Sequence, residues 1–271
     1  MQYALPVLMY HHVSPSPGLV TVSPENFRDQ IQTLTNAGWK SIGTPALEAF
    51  YAGQPLPEKS LLITFDDGYL DNLIYAYPVL VEFGMKAIIF GVTGWIKDGP
   101  VRLGTQETPN HRECKRHILE GNSDRVILRW SEIEMMQTAG TVEFHAHTHT
   151  HTRWDQRGLN VNACCEALAA DLSLCQKTLR ARLGYRSRNL CWPQGYFHPD
   201  YLPVAQAAGF DFLYCVKPYV NKSGGNAQKI GRFVTRDVAG SWVKKRTALY
   251  ASQWKASVYN HIKAIGQGIA S

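Results

Sequence analysis

Short apolar runs alternate with segments of helical periodicity along most of the chain. The helical patterns are clearest at 24–37, 70–83, 162–183 and 201–208. Strands in such an alternation lie side by side and are joined by right-handed crossovers. The pattern therefore predicts an α/β fold whose mainly parallel sheet closes, or nearly closes, into a barrel. The apolar runs that we predict as strands, about seven in number, lie at 5–10, 61–65, 86–92, 141–145, 190–192, 212–216 and 230–235.

Local signals mark where two of the helices begin. Ser23 followed by Pro24 is typical of a helix start, because proline at the first helical position has no N–H to leave unpaired. Ser131 with Glu134 predicts a capping box at the start of a short helix.

Two segments depart from the alternation. Residues 97–128 are polar and interrupted by glycine and proline, which indicates an excursion from the core. Residues 241–271 read as a basic and aromatic helix that follows a single domain at 1–240. Such a helix can lie in an anionic membrane interface, or its stripe can pack on its own domain. The stripe consists of Trp242, Val243, Leu249, Tyr250, Trp254 and Val258, with Lys244, Lys245, Lys255 and Lys263 mostly opposite.

Composition excludes several protein classes. The chain has 271 residues, of which 45% are hydrophobic and 18% charged, so it is neither disordered nor collagenous. Its 28 Lys+Arg against 22 Asp+Glu give a net charge of +6, which weakly favours acidic partners such as phosphorylated sugars, anionic lipid or nucleic acid. A basic surface that only keeps the protein soluble is the alternative. Because no recognition motif or basic run accompanies this charge, we expect no nucleic-acid binding.

Three features predict a cytoplasmic location. The first ten residues lack the basic region, the full apolar region and the cleavage site of a secretory signal. No run of 18 apolar residues is present. The six cysteines include no C-x-x-C pair, which is simplest to explain as reduced thiols. We expect a cytoplasmic protein that can contact the membrane peripherally through residues 241–271.

Two adjacent carboxylates, Asp66 and Asp67, follow the strand predicted at 61–65. Parallel α/β barrels place their sites at the carboxyl ends of the strands. Burying both carboxylates without partners is costly, and a cation bound to one of them removes that cost. The other carboxylate is then available as a proton acceptor. The alternative is a helix N-cap, a position that aspartate favours.

Four histidines lie within seven residues, directly after the strand predicted at 141–145. If this segment is extended, the alternate histidines share one face. If it is helical, His147 and His151 align at i, i+4. Imidazoles bind zinc-like ions, and three protein ligands with one open position are typical of a catalytic site. A chance surface cluster is the alternative. The four are His145, His147, His149 and His151.

Three motifs resemble, in order and spacing, those of the polysaccharide deacetylase family, the NodB-homology enzymes of carbohydrate esterase family 4. They are Thr-Phe-Asp-Asp-Gly at 64–68, His-Thr-x-x-His at 147–151 and Trp-Pro-Gln-Gly at 192–195. Segments 8–13 and 208–212 resemble one branch of that family. The resemblance implies a distorted (β/α)7 barrel, with residues 1–240 as the catalytic domain. It also implies a metal-dependent hydrolase of linear amide C–N bonds.

The resemblance assigns roles to single residues. It implies that Asp67, His147 and His151 hold the metal and that Asp66 is the general base. His149 falls on a variable position of the motif and His145 precedes it, so we leave both outside the ligand set. Such ligands suit Zn²⁺, and also Co²⁺, Ni²⁺ or Fe²⁺.

This chain departs from the family at two positions. Where the family often carries an arginine that orients the base, this chain has Cys191. We predict that Arg232 replaces that arginine, in preference to Arg186 or Arg188. The family's last motif, which supplies a histidine as the catalytic acid, has no convincing match.

Two histidines are candidates for that missing acid, and one turn is a candidate for the substrate pocket. His261 lies in the terminal helix, so we favour His11 at the end of the first strand, although a purely structural role for His11 stays open. The turn after the strand at 190–192 can wall a pocket and direct a backbone N–H inward, preferably that of Gln194. Its pocket residues are Trp192, Pro193 and Gln194.

These assignments lead to a hypothesis of metal-assisted amide hydrolysis. The metal lowers the pKa of a water towards about 7, and Asp66 accepts its proton. A histidine protonates the leaving amine of an N-acetylated amino sugar. The expected location favours a precursor, nucleotide-linked or lipid-linked, in envelope polysaccharide or lipopolysaccharide synthesis. O-deacetylation, another amide hydrolysis, or a catalytically silent glycan-binding homologue are the alternatives.

Overall fold

A parallel sheet forms the centre of the molecule. The structure, a computed structural model, describes residues 3–102, 104 and 106–268, with side chains as far as Ile262. Seven strands follow one another in the order β10-β1-β5-β6-β7-β8-β9, and a short strand, β4, pairs with β5. The strands are β1 Val7–Tyr10, β2 His12–Val13, β3 Thr21–Val22, β4 Lys40–Ser41, β5 Ser60–Asp67, β6 Ala87–Gly91, β7 Val142–Ala146, β8 Asn189–Cys191, β9 Phe212–Tyr214 and β10 Phe233–Val234.

Helices surround this sheet. They are α1 Pro24–Asn36, α2 Thr44–Tyr51, α3 Tyr77–Glu82, α4 His111–Leu119, α5 Trp130–Thr138, α6 Val161–Leu183, α7 Tyr201–Ala207, α8 Gly240–Tyr250 and α9 Gln253–Gly268. In the described part of the chain, no helix combines the length and the apolar character needed to cross a bilayer.

The segment at 230–234 connects the two ends of the sheet. Ile230 makes a parallel bridge to Tyr214 at the end of β9. Three residues later, β10 pairs in parallel with β1. The curved sheet with helices around it confirms the predicted single-domain α/β fold of the distorted (β/α)7 type.

Strand β5, an inner strand of the sheet, separates two apolar clusters. All eight of its residues are buried. Because side chains alternate along a strand, Leu62 packs with Ile88 and Phe90 on one face, whereas Ile63 and Phe65 belong to the other cluster. The same alternation places Asp66 on the face of Leu62. The base candidate therefore points into the barrel.

One of two local helix predictions is confirmed in extent, and the other is wrong. The helix predicted at 70–83 is present at 70–82, and its middle is a π-helical turn at Asn72–Ala76 that runs directly into α3. Pro78 lies at this junction and has no N–H to continue a regular helix. At the start of α5, the Glu132 carboxylate accepts the Arg129 N–H at 2.8 Å. The capping box predicted at Ser131 and Glu134 does not form.

The two departing segments differ in detail from the predicted pattern. Residues 97–128 contain α4 and return to the core at the buried residues Val126 and Ile127. The tail is not one helix but two, α8 and α9, so the predicted stripe is divided between them. Val243 and Tyr250 of α8 are buried. Trp254 of α9 is 70% exposed. The side chain of Lys263 and residues 269–271 lie outside the described residues.

Candidate active site and metal centre

The predicted site residues lie at the carboxyl ends of the parallel strands, at one end of the barrel. His11 follows β1, Asp66 and Asp67 are the last two residues of β5, and His147 follows β7. Arg232 starts deeper in the barrel, because the pairing of β10 with β1 puts it level with Leu62. Its long side chain extends along the barrel interior towards Asp66.

Asp67, His147 and His151 form a compact group. Oδ1 of Asp67 lies 3.4 Å from Nε2 of each histidine, and the two imidazole rings are 4.8 Å apart. Asp67 has φ +72°, which turns its side chain out of the alternation of β5. The next residue is Gly68 at φ +76°, where a glycine adopts the left-handed turn without strain.

This group fits a divalent cation. Oδ1 of Asp67 is buried and has no hydrogen-bond partner among the described residues. Separations of 3.4 Å are long for hydrogen bonds. They match the spacing of neighbouring ligands around a tetrahedral zinc ion, about 3.3–3.4 Å for bonds of about 2.0–2.1 Å. Burial disfavours ionisation of Asp67, but the two imidazoles outweigh it and hold the pKa of Asp67 well below its usual range.

The loop after β7 directs both histidines and is neither extended nor helical. Thr148 and His151 adopt φ values of +65° and +60°, which turn the chain twice. Asp171 of α6 accepts the N–H groups of His149 and Thr150 at 2.6 and 3.2 Å. Both predicted conformations of this segment are therefore wrong, because a buried carboxylate on a distant helix determines the loop.

Hydrogen bonds orient His147 towards Asp67 and hold His145 and His149 away from it. Nδ1 of His147 lies 2.8 Å from the carbonyl oxygen of Cys191, which leaves Nε2 free to face Asp67. His149 instead contacts Thr93 through Nδ1 at 2.9 Å. His145 bridges Ser187 and Thr44 in the barrel wall, at 2.9 and 3.1 Å. Neither His145 nor His149 contacts the group of Asp67.

Arg232 and Asp66 form a buried bidentate ion pair. Nη1 and Nη2 of Arg232 donate to Oδ1 and Oδ2 of Asp66 at 2.6 and 2.8 Å. Arg232 also donates to Thr64 and to the carbonyl oxygen of Cys215. Burial disfavours the charge on Asp66, but Arg232 outweighs this and lowers the pKa of Asp66. Asp66 is therefore ionised at neutral pH.

Cys191 occupies the position where the family often has arginine. Its Sγ lies 3.0 Å from Nη2 of Arg232 and 3.6 Å from Oδ2 of Asp66. Burial raises the pKa of this thiol, so it is a neutral neighbour of the ion pair. Arg186 and Arg188 lie elsewhere: Arg186 donates to a backbone carbonyl, and Arg188 pairs with exposed carboxylates.

His11 is the nearest histidine to the base candidate. Its Nε2 lies 3.8 Å from Oδ2 of Asp66, and its side chain is 18% exposed. Burial lowers the pKa of His11, and the Asp66 charge partly opposes this. His261 is exposed on α9.

The turn after β8 separates its three predicted pocket residues. Gln194 lines a cleft beside His151, whereas Trp192 and Pro193 are buried behind it. Gln194 adopts φ +55°, and its Oε1 accepts a hydrogen bond from Arg153 at 2.8 Å. Gly195 follows at φ +66°, where an added Cβ would lie 2.3 Å from Val216.

A family model described as polysaccharide deacetylase matches residues 53–213, which is more than half of the chain. The protein belongs to the polysaccharide deacetylase family. This confirms the predicted family and, with it, the predicted class of amide C–N hydrolases.

Curated relatives and solved structures agree with this membership. A poly-β-1,6-N-acetyl-D-glucosamine N-deacetylase of Staphylococcus aureus is 25% identical over 231 residues, covering 83% of this chain and 71% of that protein. YxkH of Bacillus subtilis is 41% identical over 87 residues, which are 32% of this chain and only 31% of YxkH. The structure of IcaB from Ammonifex degensii superposes with a TM-score of 0.73 at 24% identity, covering 93% of this chain and 99% of IcaB. That last similarity is one of fold.

Sequence reasoning missed a second buried cluster next to this candidate site. His12 lies 2.5 Å from Asp71 through Nδ1 and 3.0 Å from His111 through Nε2. Its ring stacks on Tyr69, with the centroids 3.7 Å apart. The cluster ties the first residue of α4 to the chain beside His11. No motif links these positions, which lie up to 99 residues apart.

Proposed function

We propose that this protein is a metal-dependent deacetylase that hydrolyses the N-acetyl group of an amino sugar. One observation carries the proposal: a carboxylate held ionised by a buried arginine lies next to a carboxylate–imidazole group that fits a metal. The name of the Staphylococcus aureus relative, an N-deacetylase of an N-acetylated glycan, supports it.

Asp67, His147 and His151 are the proposed ligands of a divalent ion. One carboxylate oxygen and two imidazole nitrogens suit Zn²⁺ best, with Co²⁺, Ni²⁺ or Fe²⁺ as alternatives. When bound, such an ion supplies Lewis acidity, which polarises the acetyl carbonyl and lowers the pKa of a water towards about 7.

Asp66 is the proposed general base. Its carboxylate is ionised because Arg232 pairs with both oxygens, and it adjoins Asp67 in the chain. It accepts the proton of the attacking water, while the two bonds from Arg232 keep the carboxyl group in one orientation. Arg232 is in this sense a positioning residue.

His11 and Gln194 complete the proposed reaction. His11, partly exposed and 3.8 Å from Asp66, takes over the proton that Asp66 accepted from the water and delivers it to the leaving amine. The backbone N–H of Gln194, on a turn beside the cleft, stabilises the oxyanion of the tetrahedral intermediate. Acetate and the free amino sugar are the products.

We further propose that the substrate is a precursor or lipid-linked glycan of cell-envelope polysaccharide or lipopolysaccharide synthesis, reached from the cytoplasm. Residues 1–240 form the catalytic domain in this proposal, and the tail contacts the membrane peripherally. Only the outer part of the tail is available for that contact, since Val243 and Tyr250 of α8 are buried. The available apolar side chains are Trp254, Val258 and Ile262, which are 70%, 40% and 63% exposed.

Product analysis tests the reaction. The metal-loaded protein is expected to release acetate from N-acetylglucosamine oligomers and to leave one free amine for each acetate. Acetate released with free hydroxyl groups from an O-acetylated sugar, and none from the N-acetylated one, would replace the proposal by O-deacetylation. Binding of the oligomer without any acetate release would favour the silent glycan-binding alternative.

A further inference from the structure

A cleft of about 560 Å³ opens beside His151. This volume falls within the range of small-molecule sites, about 300–1,000 Å³. Its walls come from α4, from Trp95, from the loop at 150–157 and from Gln194. Because His151 lines the cleft and also belongs to the candidate metal group, a molecule bound in the cleft lies against the reacting centre.

The charges on the cleft walls have one sign. The lining residues include no aspartate or glutamate, but they include Lys115, Arg153 and Arg157. Arg153 is already compensated, since it donates to both carboxylate oxygens of Asp155 at 2.8 and 2.6 Å. Within the described residues, neither Lys115 nor Arg157 makes an ion pair, and both are exposed. Two uncompensated positive charges therefore line the cleft.

The position of Lys115 is anchored to the active site. It lies on α4, whose first residue, His111, contacts His12 at 3.0 Å. His12 follows the proposed acid His11 directly in the chain. Lys115 and His151 both line the cleft. A sugar bound against the metal group in this cleft therefore has Lys115 on the wall beside it.

One wall of the cleft is apolar. Trp95 packs on His151 with ring centroids 5.2 Å apart, and Ile118 and Leu119 continue the surface from α4. Leu119 is 87% exposed. An aromatic ring next to the metal group suits the apolar face of a sugar, and the cationic wall suits an anionic substituent on that sugar.

We infer that this cleft binds an N-acetylated sugar carrying a phosphate or diphosphate group, whose oxygens contact Lys115 and Arg157. A guanidinium fork matches two phosphate oxygens, and an ammonium group adds a compact positive charge. The inference rests on the proposed function, because it names the substrate class of the same site. The diphosphate can belong to a nucleotide or to a lipid carrier, and both present the same oxygens.

Direct binding tests the inference without turnover. Calorimetry on the metal-loaded D66N protein compares N-acetylglucosamine 1-phosphate with N-acetylglucosamine. We expect the phosphate to bind about ten-fold more tightly at low salt, with a preference that shrinks as salt screens the charges. Equal affinity for the two sugars would overturn the inference.

Matched variants assign the preference to the two residues. The K115E/R157E protein is expected to lose the preference for the phosphate, whereas K115R retains it. The control K177E/R180E makes the same charge change on the exposed face of α6 and retains the preference. If K115E/R157E keeps the preference, the assignment is wrong. If that variant does not fold, loss of the preference in the single variants K115M and R157M supports the assignment, and its retention in both contradicts it.

Acetate release then distinguishes the two sources of the diphosphate. It also tests the proposed function separately from the phosphate site. Faster release from a nucleoside diphosphate sugar, or from a polyprenyl diphosphate sugar in detergent, than from the unsubstituted sugar supports the inference and identifies the carrier. Slower release from both contradicts it. Absence of acetate from every N-acetylated sugar refutes the proposed function, whereas the calorimetric preference still decides whether the phosphate site exists.

Discussion

Removal of the Arg232 guanidinium is expected to destabilise the protein and to shift the pH dependence of its activity. In R232M the carboxyl group of Asp66 loses hydrogen bonds of 2.6 and 2.8 Å while only 4% of its side chain is exposed. Breaking a buried ion pair from one side costs about 3–5 kcal/mol of unfolding free energy. Methionine fills part of the vacated volume, so most of this cost reflects the unpaired carboxylate.

The sign of the pH effect follows from the pKa of Asp66. Arg232 lowers this pKa below its usual value of 3.8 against the opposing effect of burial. The ion pair therefore contributes its full stability above about pH 4, and that contribution is lost as the pH falls through the folded-state pKa. Without Arg232, burial raises the pKa of Asp66, so the base is protonated at a higher pH. We expect the acid limb of kcat/KM to move to higher pH by about one unit or more.

Two assays measure these effects on the same variants. Urea unfolding at pH 7 gives the change in free energy, and acetate release between pH 5 and pH 10 gives the profile. R188M is the matched control, because Arg188 makes exposed ion pairs whose loss costs at most about 1 kcal/mol. R232K keeps the charge without the planar fork and is expected to fall between wild type and R232M. An R232M protein with the unfolding free energy and the pH profile of wild type would refute this reasoning.

Three further predictions concern residues around the site. D171N weakens the acceptor for the N–H groups of His149 and Thr150, so metal affinity measured by chelator competition is expected to fall about 10–100-fold. Unchanged affinity would show that the loop does not need these hydrogen bonds. Burial is the main cause of the lowered pKa of His111, about 4 in the folded protein against 6.5 ordinarily. Between these two values the unfolded chain binds a proton that the folded chain does not, so the free energy of unfolding falls as the pH drops from about 6.5 to about 4. After a discount for solvent screening the loss is on the order of 1–2 kcal/mol, and H111Q should flatten it in urea unfolding at pH 7 and pH 4.5; equal losses in both proteins would contradict this origin. G195A places a Cβ 2.3 Å from Val216 at φ +66°, so a thermal melt should show destabilisation of about 1–3 kcal/mol, and a wild-type melting temperature would mean that the turn relaxes.

The fold and the location of the site could be predicted because both depend on local patterns. Apolar runs that alternate with helical periodicity specify a parallel sheet, and the polar motifs follow directly after those runs. Asp66 and Asp67 are adjacent in sequence, and strand alternation alone is enough to send Asp66 into the barrel. The prediction of Arg232 rests on a different argument: Cys191 stands where the family often has an arginine, so another cation is needed to orient the base.

The features that could not be predicted depend on contacts between distant residues. Neither an extended nor a helical pattern describes the histidine loop, because Asp171 on α6 stabilises turns at positive φ. Asp71, His12 and His111 come from three separate segments, and none carries a recognisable motif. The predicted tail helix is divided into α8 and α9, and Val243 and Tyr250 of α8 are buried against the domain. The helical spacing of these residues does not show which surface they contact.

Metal content measured together with turnover tests the central claim most directly. The two neighbouring aspartates have different proposed roles, with Asp67 binding the ion and Asp66 moving the proton. We predict that D66N retains about one divalent ion per chain but releases no acetate, whereas D67N loses both the ion and the activity. Acetate release by D66N at the wild-type rate, or full metal retention by D67N, would contradict the account.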